Sequence, residues 1–267
     1  MKKITLFLVV ALLSAACGQP VKTAEPTSVP TSMPTPTPKP VGVTLTYEDN
    51  AQVELVTPTG RHIYIDVFNP GQLTKDPSTD DILLTTHLHN DHYYPSFVEA
   101  FPGQQIFDGT GKIELPDVII TGLTSAHNAS DPFLDKGGTN YIFVIDTGGL
   151  RIVHFGDIGQ EALTNEQLTA IGSVDVAITQ FSNSYSNMDV TNLKGFNLMG
   201  QVKPRLIIPT HSDSASIKIA VERWAGDYSD SRTVMISSSA LPSDQSILIL
   251  GNLAISYGTI YNLKPWK

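Results

Sequence analysis

The sequence predicts an α/β domain in which two β-sheets pack face to face and helices cover their outer sides. Three observations lead there. Short runs rich in Ile, Val and Leu recur along the chain, each bounded by Gly, Pro, Asp or Asn. A few amphipathic helical stripes separate these runs instead of forming a bundle of their own. The stretch 43–267 is long enough for one sizeable core and shows no internal repeat, so a single folded domain is expected there.

Taken in order, the predicted strands are Val53–Val56, Ile63–Phe68, Ile82–Thr86, Gln105–Phe107, Val118–Thr121 and Tyr141–Ile145. Arg151–His154, Val174–Thr179, Leu206–Ile208, Thr233–Ile236 and Ser246–Leu250 follow. Pro95–Ala100 is predicted helical, with proline in its first turn and a stop at Pro102-Gly103. Glu161–Ile171 spaces Leu163, Leu168 and Ile171 at helical intervals and ends at Gly172. Ser214–Ala225 aligns Ile217, Ala220, Val221 and Trp224 on one stripe before Gly226.

The N-terminal residues read as address and tether, not as fold. Residues 1–17 begin with Lys2 and Lys3, continue through an apolar core from Ile4 to Leu13, and reach small residues before Cys17. That order is a secretory signal, too short for a permanent transmembrane helix. Leu13-Ser-Ala-Ala-Cys17 resembles a bacterial lipobox, which implies lipidation at Cys17 and an anchor at the outer face of a bacterial membrane. Cys17 is the only cysteine, so neither a disulfide framework nor a thiolate metal ligand is available. Residues 18–42 interleave seven prolines with Thr and Ser and have almost nothing to bury, as expected of an extended linker. The formal charge of −9 suits a phosphate backbone poorly, so nucleic acid is excluded as a partner and a small-molecule substrate is expected.

The chemistry concentrates after the run Ile82-Leu83-Leu84, in Thr86-His-Leu-His-Asn-Asp-His92. His87 and His89 are two apart, so an extended segment leaving a strand projects both imidazoles to one side. Asp91 and His92 fall on the turn into the Pro95 helix, which can bring them back over the same point. Three imidazoles and a carboxylate form a nitrogen/oxygen ligand set for a borderline divalent cation.

His87-x-His89-x-Asp91-His92 resembles the signature of the metallo-β-lactamase superfamily, and later residues agree in order. Ile63-Tyr-Ile-Asp-Val-Phe-Asn69 is similar to the family strand that ends in an Asp ahead of the metal loop. His127 stands where the family supplies its next histidine, Gly156-Asp157 resembles its bridging carboxylate, and Pro209-Thr-His211 its last histidine. Gly138-Thr-Asn140-Tyr and Pro-x-His211 look closest to ascorbate-6-phosphate lactonase-like proteins. The resemblance implies the metallo-β-lactamase fold, an αβ/βα four-layer sandwich with two mixed β-sheets. It also implies His87, His89 and His127 on one metal, Asp91, His92 and His211 on a second, and Asp157 bridging. Asp66 is expected to orient a ligand histidine, His154 to be a core histidine, and His62 to lie at the surface. The polar segment 180–187 and Asn140 are candidate pocket lining.

Two cations so held would lower the pKa of a bridging water from about 15.7 toward about 7. The resulting hydroxide, oriented by Asp91 and Asp157 as catalytic groups, would attack an ester, lactone or phosphodiester. Zinc suits the ligand set best, and manganese or iron also fit it. Within the resemblance, Asp157 argues against antibiotic hydrolysis, because class B β-lactamases lack that bridging Asp. A chain that ends soon after His211 in mainly strand-like residues argues against the glyoxalase II type. Two alternatives stand beside a hydrolase: a mononuclear iron oxygenase of the same superfamily, and a non-catalytic surface lipoprotein that binds metal or ligand.

Overall fold

The computed structural model describes residues 42–128, 139–251 and 254–266. The leader, Cys17, the linker as far as residue 41 and Gly138 lie outside the described residues. In chain order the elements are β1 (Val43–Asp49), β2 (Gln52–Val56), β3 (His62–Ile65), β4 (Ile82–Thr85), α1 (Pro95–Ala100), β5 (Gln104–Phe107), β6 (Lys112–Leu115) and β7 (Val118–Ser125). They continue with β8 (Asn140–Thr147), β9 (Leu150–His154), α2 (Asn165–Ile171), β10 (Val176–Gln180), α3 (Lys194–Val202), β11 (Leu206–Thr210) and α4 (Ser214–Trp224). Last come β12 (Gly226–Ser229), β13 (Thr233–Ile236), β14 (Ser246–Leu250), α5 (Ala254–Tyr261) and β15 (Lys264–Pro265).

The strands form two mixed sheets. One has the order β13-β1-β2-β3-β4-β5, antiparallel as far as β3 and parallel beyond it. The other runs β15-β12-β14-β11-β10-β9-β8-β7-β6, antiparallel from β6 to β9 and parallel through the rest. Side chains from both sheets meet in the central core, among them Leu45, Leu55, Ile65 and Leu84 against Phe143, Ile145, Ile178 and Ile208. A second core lies on the far side of the larger sheet, where Phe155, Phe181, Phe196, Met199 and Ile217 gather. Phe97 and Val98 of α1 pack on Tyr64, Leu83 and Phe101 against the outer face of the smaller sheet. The result is four layers, helix–sheet–sheet–helix. Each buried aliphatic or aromatic side chain contributes about 1.5–3 kcal/mol, so the sandwich is held chiefly by apolar burial.

Local chemistry explains where elements start and stop. Thr164 and Gln167 form a capping box, which places the start of α2 at Asn165 and leaves Glu161–Leu163 outside the predicted helix. Asp213 caps α4 by accepting from the Ser216 amide. β3 ends at Ile65, short of the predicted Phe68, because Asp66 turns into a left-handed backbone with φ of 51°. Two helices escaped the sequence. α3 contains Gly195 and Gly200, each costing about 1 kcal/mol of helix propensity. Burial of Phe196, Leu198, Met199 and Val202 overrides that cost. The other is α5, in the segment after His211 that was expected to be mainly strand-like beyond the predicted α4.

Candidate metal centre

His87, His127, Asp157 and His211 each sit within three residues of a strand end, whereas Asp91 and His92 lie on the turn that leads into α1. His87 and His89 lie in the extended segment after β4, and the His92 amide turns back onto the His89 carbonyl oxygen at 2.9 Å. His127 follows β7, Asp157 follows β9 and His211 follows β11. The His211 carbonyl oxygen accepts from the amides of Phe181 and Ser182 at 3.1 and 2.7 Å, which pins its backbone between adjacent strand ends.

These residues converge. Ligand-capable atoms of His87, His89, His127 and Asp157 all lie within 4.8 Å of one another, and so do those of Asp91, His92 and His211. The His87 ring centroid is 4.5 Å from that of His89, 3.9 Å from that of His92 and 4.9 Å from that of His127. Asp157 stands between the two groups. Its Oδ2 is 3.8 Å from His87 Nε2, 3.7 Å from His127 Nε2 and 3.3 Å from His92 Nε2, while Oδ1 is 3.3 Å from His211 Nε2. Asp91 Oδ2 reaches His211 Nε2 at 4.0 Å and is the more open carboxylate, 43% exposed against 2% for Asp157.

Supporting hydrogen bonds fix the aim of these groups. Asp66 accepts from the Thr86 amide and hydroxyl, both at 2.7 Å, and from His92 Nδ1 at 2.9 Å. That bond leaves His92 Nε2 facing the centre. Asn140, at the start of β8 and fully buried, donates to Ser125 Oγ and to the Phe155 carbonyl oxygen and accepts from the Asp157 amide. It therefore grips both sides of Gly156, whose φ of 54° suits glycine. A Cβ at Gly156 would come within 2.4 Å of Asn140 Oδ1. Asn183 donates its amide to Asp157 Oδ2 at 2.7 Å, and the Ser186 hydroxyl donates to the Asp157 carbonyl oxygen. Asn140 thus lies beneath Asp157 instead of lining a pocket, and the 180–187 segment supplies a positioning amide together with the exposed Tyr185 near His89. Within that segment the sequence carried no signal that singled out Asn183.

The other two histidines lie apart from this cluster. His154 is a satisfied core histidine: Nδ1 accepts from the Gly156 amide at 3.1 Å and Nε2 donates to the Ala51 carbonyl oxygen at 3.2 Å. His62, expected at the surface, instead pairs with buried Glu54 across the β2–β3 ladder. The reason is diagonal cross-strand neighbourhood on one face of the sheet.

The donor chemistry fits divalent cations. His87 Nε2, His127 Nε2 and Asp157 Oδ1 are buried and have no hydrogen-bond partner, although buried polar atoms are almost always paired. Burial lowers the His87 imidazole far below its usual range, reinforced by the neighbouring His92. Burial also presses on His92, but Asp66 and Asp157 outweigh it and raise that imidazole to about 10. Asp157 is held well below the usual carboxylate range, its burial overcome by the imidazoles of His127, His92 and His211 gathered around it. A neutral His87 beside an ionised Asp157 is a ligand pair awaiting a cation.

A model of the beta-lactamase superfamily domain matches residues 44–211, from β1 through His211. The chain belongs to the metallo-β-lactamase superfamily. Its fold is similar to that of a presumed zinc-dependent hydrolase of this superfamily from Thermotoga maritima, with TM-score 0.58 and 20% identity over 78% of this chain and 98% of that one. A presumed metal-dependent hydrolase from Parabacteroides distasonis gives TM-score 0.53 and 16% identity over 79% and 93%. The metallo-β-lactamase fold protein YhfI from Bacillus subtilis gives 0.51 and 10% over 79% and 97%. No curated protein sequence matches the chain. At these identities the likeness shows the fold of the superfamily, and the chemistry has to come from the site.

One consequence of the site is local. Asp66→Ala leaves His92 Nδ1 buried with only the Thr86 hydroxyl, at 3.4 Å, as an acceptor. Metal affinity is expected to fall about 10- to 100-fold, the usual cost of removing the group that orients a ligand histidine. Titration with a competing chelator measures it, and an unchanged affinity would deny Asp66 that role.

Proposed function

We propose that the protein is a metal-dependent hydrolase of small-molecule esters, lactones or phosphodiesters. The observation that carries the reading is the pair of ligand groups meeting at one buried carboxylate, Asp157. His87, His89 and His127 would hold one divalent cation, Asp91, His92 and His211 a second, and Asp157 would touch both. When bound, such cations acidify water and draw off charge that develops on the substrate oxygen.

The chain's own residues do the rest. Asp66 keeps a proton on His92 Nδ1, so His92 Nε2 stays free as a ligand atom. Asn140 accepts from the Asp157 amide and Asn183 donates to its carboxylate, so backbone and side chain are both fixed and no reorganisation is needed when the reacting group arrives. Asp91 can take a proton from the attacking water at Oδ2 and pass it to the leaving oxygen, and its exposure lets that proton exchange with solvent.

Zinc is the proposed metal, by the preference of imidazole and carboxylate donors. Metal analysis of the purified protein, followed by a panel of lactones, phosphodiesters and thioesters, tests the reading. Two divalent ions per chain with turnover of one class are expected. One iron per chain with oxygen consumption would replace hydrolysis by oxygenation.

The same reading places the protein outside the cytoplasm, tethered by a lipid on Cys17. It rests on the leader at 1–17 and the proline-rich stretch that follows. Cys17→Ser is expected to move the protein from membrane to soluble fractions, and unchanged fractionation would remove the anchor from the proposal.

A further inference from the structure

We propose that the cavity walled by Leu88 and Tyr185 binds an apolar leaving arm, so that the preferred substrates are esters or phosphodiesters of an alkyl or aryl alcohol. This rests on the hydrolase reading and narrows its substrate. The cavity holds about 420 Å³ and is lined by Leu88, His89, Asn90, Asp91 and Tyr185. His89 belongs to one ligand group and Asp91 to the other, so a molecule seated there meets a ligand from each.

The walls are apolar where a protein surface is usually polar. Seven large apolar side chains are exposed among the described residues, and two of them, Leu88 at 45% and Tyr185 at 76%, border this one space. An apolar side chain exposed singly needs no occupant, whereas two that share a cavity beside a reactive centre gain by being covered together. His89 and Asp91 are committed to the ligand groups. Besides the exposed amide of Asn90, the surface left for an incoming arm is the Leu88 side chain and the Tyr185 ring.

Tyr185 is also held in place. Asn183 Oδ1 accepts from the Tyr185 amide at 2.9 Å, while Asn183 Nδ2 donates to Asp157 Oδ2 at 2.7 Å. The amides of Asn183 and Met188 each donate to the other's carbonyl oxygen, at 2.8 and 2.9 Å, and the Ser186 hydroxyl donates to the Asp157 carbonyl oxygen at 2.9 Å. The turn that carries Tyr185 is thus tied to the carboxylate that meets both ligand groups, and its ring lies 6.2 Å from that of His89. A wall fixed beforehand loses little freedom when an arm packs on it. The leaving side follows from Asp91. In hydrolysis the water oxygen bonds to the acyl carbon or phosphorus, the bond to the leaving oxygen breaks, and Asp91 gives that oxygen the proton it took from water. The leaving arm therefore lies in the cavity that Asp91 lines. Tyr185 and His89 also border a second cavity of about 300 Å³, with His127, Asn128 and Thr139, which offers a polar space for the other half of the substrate.

Calorimetric titration of the metal-loaded protein with n-alkyl phosphates from ethyl to hexyl tests the wall. Polyether phosphates of equal length are the controls. Affinity is expected to rise about two- to fourfold per added methylene and to stay flat along the polyether series. Tyr185→Ala is expected to shrink the gain from ethyl to hexyl by about fivefold or more. Tyr185→Phe is expected to keep it, because the ring packs and the hydroxyl does not take part. Metal content is measured on each variant. A flat alkyl series, a gain that survives Tyr185→Ala, a gain lost in Tyr185→Phe, or one lost together with the metal overturns the wall. Isomeric substrates read the leaving side. Hexyl acetate is expected to turn over faster than ethyl hexanoate, and hexyl methyl phosphate to release hexanol ahead of methanol. The reverse order overturns that assignment. Turnover with a flat alkyl series removes the wall and keeps the hydrolase. A rising series with no turnover of any ester or phosphodiester removes the hydrolase, and the leaving side with it, and keeps the wall.

Discussion

Asp157→Ala is expected to lower hydrolysis on the order of 10³-fold or more, the scale lost when a group that stabilises charge at the reacting centre is removed. The side chain is nearly inaccessible, lies within 4 Å of ring nitrogens from four histidines, and is the only carboxylate among the described residues that meets both ligand groups. Its loss removes a ligand from one group and the link to the other. Far-ultraviolet circular dichroism should remain that of the parent, because the Asp157 amide still donates to Asn140 and both sheets are untouched. Metal content should fall with activity. Turnover that persists at the parent rate would disprove the proposed chemistry, whatever substrate is used.

Removal of divalent ions is expected to produce the largest change in stability. Without metal, His87 Nε2, His127 Nε2 and Asp157 Oδ1 stay buried and unpaired, and crowded imidazoles lie within 5 Å of one another. Ligation relieves both problems. A ligand present at a thousand times its dissociation constant stabilises the folded state by about 4 kcal/mol. For a domain of this size, with Tm moving about 2–4 °C per kcal/mol, the chelated protein should melt on the order of 10 °C lower. Adding back zinc should restore the original Tm. An identical melting curve before and after complete chelation would mean that the cluster holds no ion.

The site was more legible than the frame that aims it. His87, His89, Asp91 and His92 are close in sequence, so strand geometry and one turn suffice to bring them together. His127, Asp157 and His211 were reached only through resemblance to a family, because nothing local in a polar loop or a Gly-Asp turn announces a ligand. Asn140 and Asn183 are harder still. Each acts through a hydrogen bond to Asp157, 17 or 26 positions away, and an asparagine reads alike in sequence whether it braces a distant residue or faces water.

Apolar periodicity by itself determined the class of this protein, since each Ile- and Val-rich run has to bury one face and two sheets are the cheapest way to do so. It determined most strand positions and three helices, α1, α2 and α4, with α2 starting four residues later than predicted. It did not determine α3, where burial of four side chains outweighs two glycines, nor the end of β3, where the left-handed backbone of Asp66 stops the strand. Only the tertiary structure decided that the ends of β4, β7, β9 and β11 meet at one point. The physical reason is that sheet order and register are set by packing between distant segments, and no residue carries that information alone.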